Sequence, residues 1–204
     1  MFQQILTLGG IGLIAGLASL SSSSAASTTL GEGAYSIDSV HSSILFSAVH
    51  FNVSRFYGRF NDVEGEISFD PEHPEKSSIH IVVDAASVDT HDKKRDQHLS
   101  GPDFFAAKEF ESLTFTSESV RVSREATDEA PLQLEVSGKL EMVGKKRDVT
   151  ALVDLVGAGA GMGGSELVGF HTRFEINRTD WGMDTMVGPL SDAIEVTISV
   201  EANR

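Results

Sequence analysis

The chain has 204 residues, 16 Lys and Arg against 30 Asp and Glu for a formal net charge of −14, and no Cys. That is long enough for one domain with its own core. The acidic balance disfavours nucleic acid and anionic lipid headgroups. The missing thiols exclude a disulfide framework, a Cys nucleophile and lipoprotein acylation.

The first thirty residues carry no charged side chain. Ile5 to Leu20 is apolar with Gly interruptions, and Ser21 to Ser27 is small and polar. This outline predicts a secretory signal peptide over 1–26 with Ser24-x-Ala26 before the cut, although the leading Met-Phe-Gln-Gln supplies no Lys or Arg. A single N-terminal membrane anchor competes with it, but an apolar run of about 16 residues is short for a span. A linker over 27–33 and one domain over 34–203 complete the expected organisation, with a periplasmic or secreted destination.

The domain reads as a series of strands. Ala34 to Asp38 comes first, then His41 to Phe51 with Ile44, Phe46 and Ala48 on one side and Ser43 and Ser47 on the other. Asn52 to Phe60 reads as a polar-aromatic bend. Ile67 and Phe69 share a face until Pro71 and Pro74 stop the run, and Ile79, Ile81 and Val83 alternate with His80 and Val82. After an interruption, Leu113 and Phe115 begin a strand through Val122. Leu132, Leu134, Val136, Gly138, Leu140 and Met142 make the longest period-two row, and Gly144 to Arg147 turns it back into Val149, Ala151, Val153 and Leu155. A Gly-rich loop follows. Val168, Phe170, Phe174 and Ile176 then alternate with His171, Arg173 and Glu175, and Ile194, Val196, Ile198 and Val200 with Glu195, Thr197 and Ser199.

The interruption is Asp89 to Phe105, the one mature stretch that reads as helix. Thr90 is the expected N-cap, with Asp92 in the first turn. Ser100-Gly101-Pro102 ends it, Gly101 being suited to a left-handed cap, and Phe104 and Phe105 follow at once. A helix of about two turns cannot cover about eight one-sided strands. Such a sheet must close on itself or split into a sandwich. Long strands joined by short links favour an up-and-down antiparallel β-barrel with one short helical insertion. An eight-stranded barrel with an apolar interior is wide enough for one slender ligand.

No motif for chemistry carries weight. Gly159-x-Gly161-x-x-Gly164 has the letters of a dinucleotide fingerprint, but a strand follows it where the mechanism needs a helix N-terminus. The seven His show no recognised ligand spacing, so no metal site is assigned. There is no Gly-x-Ser-x-Gly elbow, so no catalytic residue and no cofactor are assigned. Asn52-Val-Ser54 and Asn177-Arg-Thr179 are glycosylation sequons by letters only.

A set of short motifs carries a resemblance. These are Tyr35-x-Ile37-Asp38-x-x-His41-Ser42, Phe46-x-x-x-His50, Gly58-x-Phe60, Arg95-Asp96-x-His98-Leu99 with Asp103-Phe104-Phe105, Gly138-x-Leu140, Gly144, Gly169-Phe170 and Arg178-x-x-x-Gly182. In this order and spacing, from Tyr35 to Ala202, the chain resembles the YceI-like polyisoprenoid-binding family. The resemblance implies a lipocalin-like barrel with a long internal pocket. It also implies secretion and an isoprenoid ligand such as a polyprenyl phosphate or a quinone. Two departures concern the pocket mouth. The family's Thr-Leu-His-Gly-Val-Thr-Lys run is Glu141 to Arg147 here, with Val143 at the His and Lys145 at the following Val. Its Lys-Tyr-Pro is Glu109-Phe110-Glu111.

An isoprenoid tail has almost nothing to hydrogen-bond, so its binding would come from apolar burial, about 0.8 kcal/mol per CH₂. Selectivity would then follow cavity length and shape. The candidate lining residues are Phe46, Ile67, Phe69, Ile79, Ile81, Val83, Phe104, Phe105, Phe115, Leu134, Val136, Leu140, Val153, Phe170, Phe174, Val196 and Ile198, unless these simply fill a closed core. Asp38, His41, Arg95, Asp96, His98 and Arg178 read either as a network pinning the helix to the barrel end or as headgroup ligands, with Arg95 or Arg178 meeting a phosphate. The expected role is a non-catalytic carrier or store. The expected partners are an isoprenoid lipid and an envelope or membrane donor or acceptor protein, with a homodimer left open. A filled interaction module and an enzyme on a small apolar substrate are the alternatives.

Overall fold

The computed structural model describes residues 33–204. The expected signal peptide lies outside the described residues, as does the linker except for its last residue. Gly33, read as linker, instead opens the first strand.

The strands are β1 (Gly33–Ile37), β2 (Ser43–His50), β3 (Ser54–Phe60), β4 (Val63–Phe69), β5 (Ser78–Asp84), β6 (Val88–Asp89), β7 (Ser112–Arg124), β8 (Gln133–Met142), β9 (Lys145–Ala160), β10 (Glu166–Asn177) and β11 (Ala193–Asn203), with α1 (Lys93–Leu99) between β6 and β7. All pairings between them are antiparallel. Hydrogen bonding runs β1-β4-β5-β7-β8-β9-β10-β11 and returns to β1, a closed eight-stranded ring. From β7 to β11 this is an uninterrupted meander. The remaining strands branch from β11. Its C-terminal end pairs with β1 (Ile37 against Ala202), and its N-terminal half pairs with β2 (Ile44 against Ile198 to Ser47 against Glu195). β3 continues from β2, and β6 meets β3 at Arg59 and Phe60. The ring closes because each strand has one apolar face and α1 is too small to shelter them.

Five local expectations are corrected. Residues 54–60 form a strand, because Phe56, Gly58 and Phe60 alternate with Arg55, Tyr57 and Arg59 along the whole hairpin with β2. The Gly-rich stretch is strand through Ala160, since small side chains do not prevent pairing of Gly157 to Ala160 with Gly169 to Glu166. Lys145 to Arg147 lie in β9, and the turn is Val143-Gly144, both at positive φ. The helix begins later than expected: the Asp92 carboxylate, not Thr90, accepts the N–H groups of Lys94 and Arg95 at 3.1 and 3.0 Å. Gly101 does not take the left-handed cap. Right-handed Ser100 closes the helix, and the chain reverses at Ala106, with φ +47°.

The barrel interior holds two packed clusters. One, here the floor, joins Tyr35, Phe69, Leu134, Val168 and Ala202. The other, the roof, joins Phe60, Leu99, Phe104, Met142, Trp181, Met183 and Leu190, and so draws on the helix and two loops.

Candidate functional site

Alternation aims the even members of β2, β8 and β11, the odd members of β5 and the odd members of β9 as far as Leu155 at the barrel axis; β7 uses odd members up to its bulge at Ser117 and the even Val120 and Val122 beyond it. Floor and roof fill the barrel's two ends. Between them lies a cavity of about 190 Å³. Its wall exposes no polar atom. Thr172, the one hydroxyl residue of the wall, donates its Oγ1–H to the Leu152 carbonyl at 2.7 Å. Two close approaches shape the wall. A Cβ on Gly58 would stand 2.3 Å from Cζ of Phe46, and one on Gly138 would stand 2.3 Å from the Thr116 carbonyl and 2.8 Å from the Phe115 ring. Only glycine lets these two rings lie flat against the backbone. Phe46, Phe60 and Phe105 then stack in tilted and edge-on contacts, with centroids 5.7 and 5.3 Å apart.

Of the candidate lining residues, Phe46, Ile67, Ile79, Ile81, Val83, Phe104, Phe105, Phe115, Val136, Leu140, Val153, Phe170, Phe174, Val196 and Ile198 face this cavity. Phe69 and Leu134 do not. They are 1 % and 2 % exposed inside the floor, where Phe69 meets Phe170 edge-on at 5.3 Å. Period two tells which face a residue occupies, but not how far along the barrel axis it sits. The candidates omitted Ile44, Ala48, Leu113, Met142, Val149, Ala151, Ile176, Ile194 and Val200, all of which stand in alternating rows and were legible there. They omitted Phe56 and Phe60 because 54–60 read as a bend. Met183 and Leu190 come from a loop with no periodic signal.

The six polar candidates do not form one network. Asp38 and His41 belong to the β1–β2 turn, where Asp38 accepts the Val40 and His41 N–H groups at 2.8 and 3.3 Å and meets the His41 Nδ1 at 2.9 Å. The hydrogen bond to His41 is the main cause that holds the Asp38 carboxyl below its ordinary range, and the same bond raises His41 above its own. The turn is tied to Glu201, at the far end of β11 from Arg178. Eight residues of strand at about 3.3 Å each put roughly 26 Å between those ends.

At the roof, Arg95 donates Nε–H to the Thr90 hydroxyl and Nη2–H to the Thr90 carbonyl, at 2.7 and 2.6 Å, and lies over the Phe56 ring. Asp96 accepts the Thr90 N–H and O–H at 2.7 and 2.5 Å. Thr90 is thus the peg that fastens α1 to the end of β6. His98 pairs with Asp103 at 3.1 Å and edges the Phe104 ring. Arg178, 3 % exposed, donates to the carbonyls of Met183, Leu190 and Ser191, and burial lowers its pKa. No carboxylate lies within ion-pair distance of Arg178 among the described residues. Arg178 stands in the cavity wall, but its nitrogens are bonded to the carbonyls of the 183–191 loop and expose no polar atom to the cavity, so the pinning role describes Arg95, Asp96 and Arg178, and the headgroup role has no exposed donor here.

Among the described residues, one cluster has the residue types of a metal site: the donor atoms of Asp38, His41 and Glu201 lie within 4.8 Å of one another. Spacing along the chain could not show it, because Glu201 arrives through the β1–β11 closure.

Fold and cavity together define a lipocalin-like barrel with an internal apolar site. A family model of the YceI-like domain matches residues 35–202, and the chain belongs to that family. It is 32 % identical over 161 residues to Protein YceI of Salmonella newport, an alignment covering 79 % of this chain and 81 % of that one. Its fold is similar to that of BcnA from Burkholderia cenocepacia, with a TM-score of 0.71 at 23 % identity over 81 % of this chain and 99 % of that one. It is also similar to a polyisoprenoid binding domain from Saccharophagus degradans, with a TM-score of 0.58 at 18 % identity over 82 % of this chain and 97 % of that one.

Proposed function

We propose that the protein is a non-catalytic binding protein that holds the tail of an isoprenoid-type lipid in the barrel cavity for transport or storage outside the cytoplasm. One observation carries the reading: a void of about 190 Å³ with no exposed polar atom. Left empty, such a void would cost about 4–5 kcal/mol at ~24 cal/mol per Å³, a large part of a domain's net stability. Water gains little there, because it finds no partner on the wall. A hydrocarbon tail fills it without leaving any protein polar group unpaired. The polyisoprenoid binding domain that shares this fold supports an isoprenoid among apolar ligands. A polyprenyl phosphate and an isoprenoid quinone both satisfy the cavity, since the wall reads the tail alone. The void also weighs against the filled interaction module, and the lack of an exposed polar group on the wall weighs against an enzyme.

The tail enters at the roof. There α1 and the 183–191 loop are held by side-chain clamps, so opening them leaves the strand ladders intact. Secretion through cleavage after residue 26 belongs to the same reading.

Native mass spectrometry of gently purified protein tests it. The expected result is a co-purifying lipid of defined mass, retained by the native chain and lost from Phe170→Asp or Phe174→Asp, which would bury an unpaired carboxylate in the wall. Full retention in both variants, or no lipid in the native chain, sinks the proposal.

A further inference from the structure

Four large apolar side chains stand in water at the roof: Phe51 at 59 %, Val53 at 85 %, Met186 at 43 % and Val187 at 55 % exposure. They come from two segments that are fastened together. Phe51 donates its N–H to the Pro189 carbonyl at 2.7 Å, and Val49 and Ser191 exchange hydrogen bonds at 2.9 Å in both directions. Leu190, which lines the cavity, bridges to both His50 and Val187. The patch is therefore the outward continuation of the cavity wall.

Its charge differs from that of the rest of the molecule. Residues 39–61 contain no Asp or Glu in a chain that has 30 of them, while Arg55 and Arg59 lie in β3. Arg55 approaches Glu195 at 3.9 Å and donates to Ser47, and Asp184 is the one carboxylate between 182 and 191. The backbone here is also strained: Phe51 and Met186 hold φ of +49° and +58°, a region that bulky side chains rarely adopt. A polar Asn would suit either position better on both counts.

We infer that this hairpin tip and its neighbouring loop dock the barrel on a phospholipid bilayer, so that the roof faces the surface from which a tail is taken or to which it is given. The inference rests on the tail-binding reading. Apolar tips enter the interface, Arg55, the basic residue nearest the tip, lies near the headgroups, and the acidic remainder is held away from an anionic surface. Charge thereby sets the orientation.

The test is flotation of the full chain with phosphatidylcholine vesicles and with phosphatidylcholine–phosphatidylglycerol vesicles at low salt. The native protein should float with both, and more with the second. A Phe51→Asn, Val53→Ser, Val187→Ser variant should lose at least tenfold in bound fraction. Its melting temperature should be unchanged or higher, and it should still retain lipid by native mass spectrometry. Tyr57→Ser, on the outer face of the same hairpin, should float as the native chain does. Failure of the native protein to float, equal flotation of the triple variant, or an equal loss in Tyr57→Ser overturns the inference. A native protein that ignores vesicles yet captures an envelope protein through the same tip also overturns it, in favour of a protein occupant. If the native chain carries no lipid, the function proposal fails whatever the vesicles show. If it carries lipid and does not float, the docking surface fails alone.

Discussion

The two ends of the barrel are built in different ways. The floor is made from strand side chains whose backbones are laddered to both neighbours; Tyr35, Val168 and Ala202 there are fully buried. The roof is made from a seven-residue helix and from loops, held by Arg95 and Arg178 donating to carbonyls and a hydroxyl. Among the described residues, the six non-glycine residues at positive φ, Phe51, Asn52, His91, Ala106, Val143 and Met186, all lie in roof connections. Ladders make the floor rigid and regular. Clamps and strained turns let the roof be closed in this structure and still separable from the sheet. A container for a tail needs both: one end that never opens, and one that opens without unfolding the wall.

The largest effect that would break this contrast is expected from Arg178→Met. Removing the guanidinium leaves the Met183, Leu190 and Ser191 carbonyls short of a donor, a loss of about 3 kcal/mol if they stay buried. Hydrogen exchange should accelerate in 178–191 and α1, with the β9 and β10 amides near the floor unchanged. Equal acceleration at both ends would show that roof and floor unfold as one unit.

Next comes a pair of identical substitutions. Ala202→Phe overpacks a floor position with no exposure and should cost about 2 kcal/mol or more. Ala151→Phe puts the same ring into the cavity, so it should leave the melting temperature unchanged or raised while reducing the lipid held. Equal destabilisation by the two would mean that the void is not present in solution.

The smallest effect is one of pH. The His41 pKa is raised above its ordinary 6.5, so its contribution is full below that value and fades as pH rises through the raised one. The Asp38 pKa is lowered below 3.8, so its contribution is full above that value and is lost as pH falls through the lowered one. The turn is tightest between the two, and the stabilisation is slight because the pair is exposed. An NMR titration should place the His41 midpoint above 6.5, and Asp38→Asn should bring it down. An unmoved midpoint would refute the pairing. Roof resonances should not follow it, because the turn belongs to the floor end.

Legibility in the sequence followed the same division. Rows such as Ile79-Ile81-Val83 and Val196-Ile198 named their faces correctly, because a pleated strand forces side chains to alternate whatever they pack against. Phe69 and Leu134 belong to such rows and were still misplaced, since depth in the barrel depends on tilt and stagger between strands. Residues 54–60 were misread because Gly58 resembles a turn residue. Its reason is the Phe46 ring from the neighbouring strand. The polar residues were read as one network because they are charged motif residues, but closure sends Asp38 and His41 to one end and Arg95, Asp96 and Arg178 to the other.

By itself the sequence determined that the strands bury their greasy faces against one another, in a closed sheet or a sandwich with closure favoured by the short links, because no helix in the domain is large enough to cover them. Only the tertiary structure decided that the inside is plugged at both ends and hollow between them, and that the acid-free hairpin stands beside the roof loop. Those facts depend on which residues meet across the ring, and neither periodicity nor composition records the distance along an axis that exists only once the ring has closed.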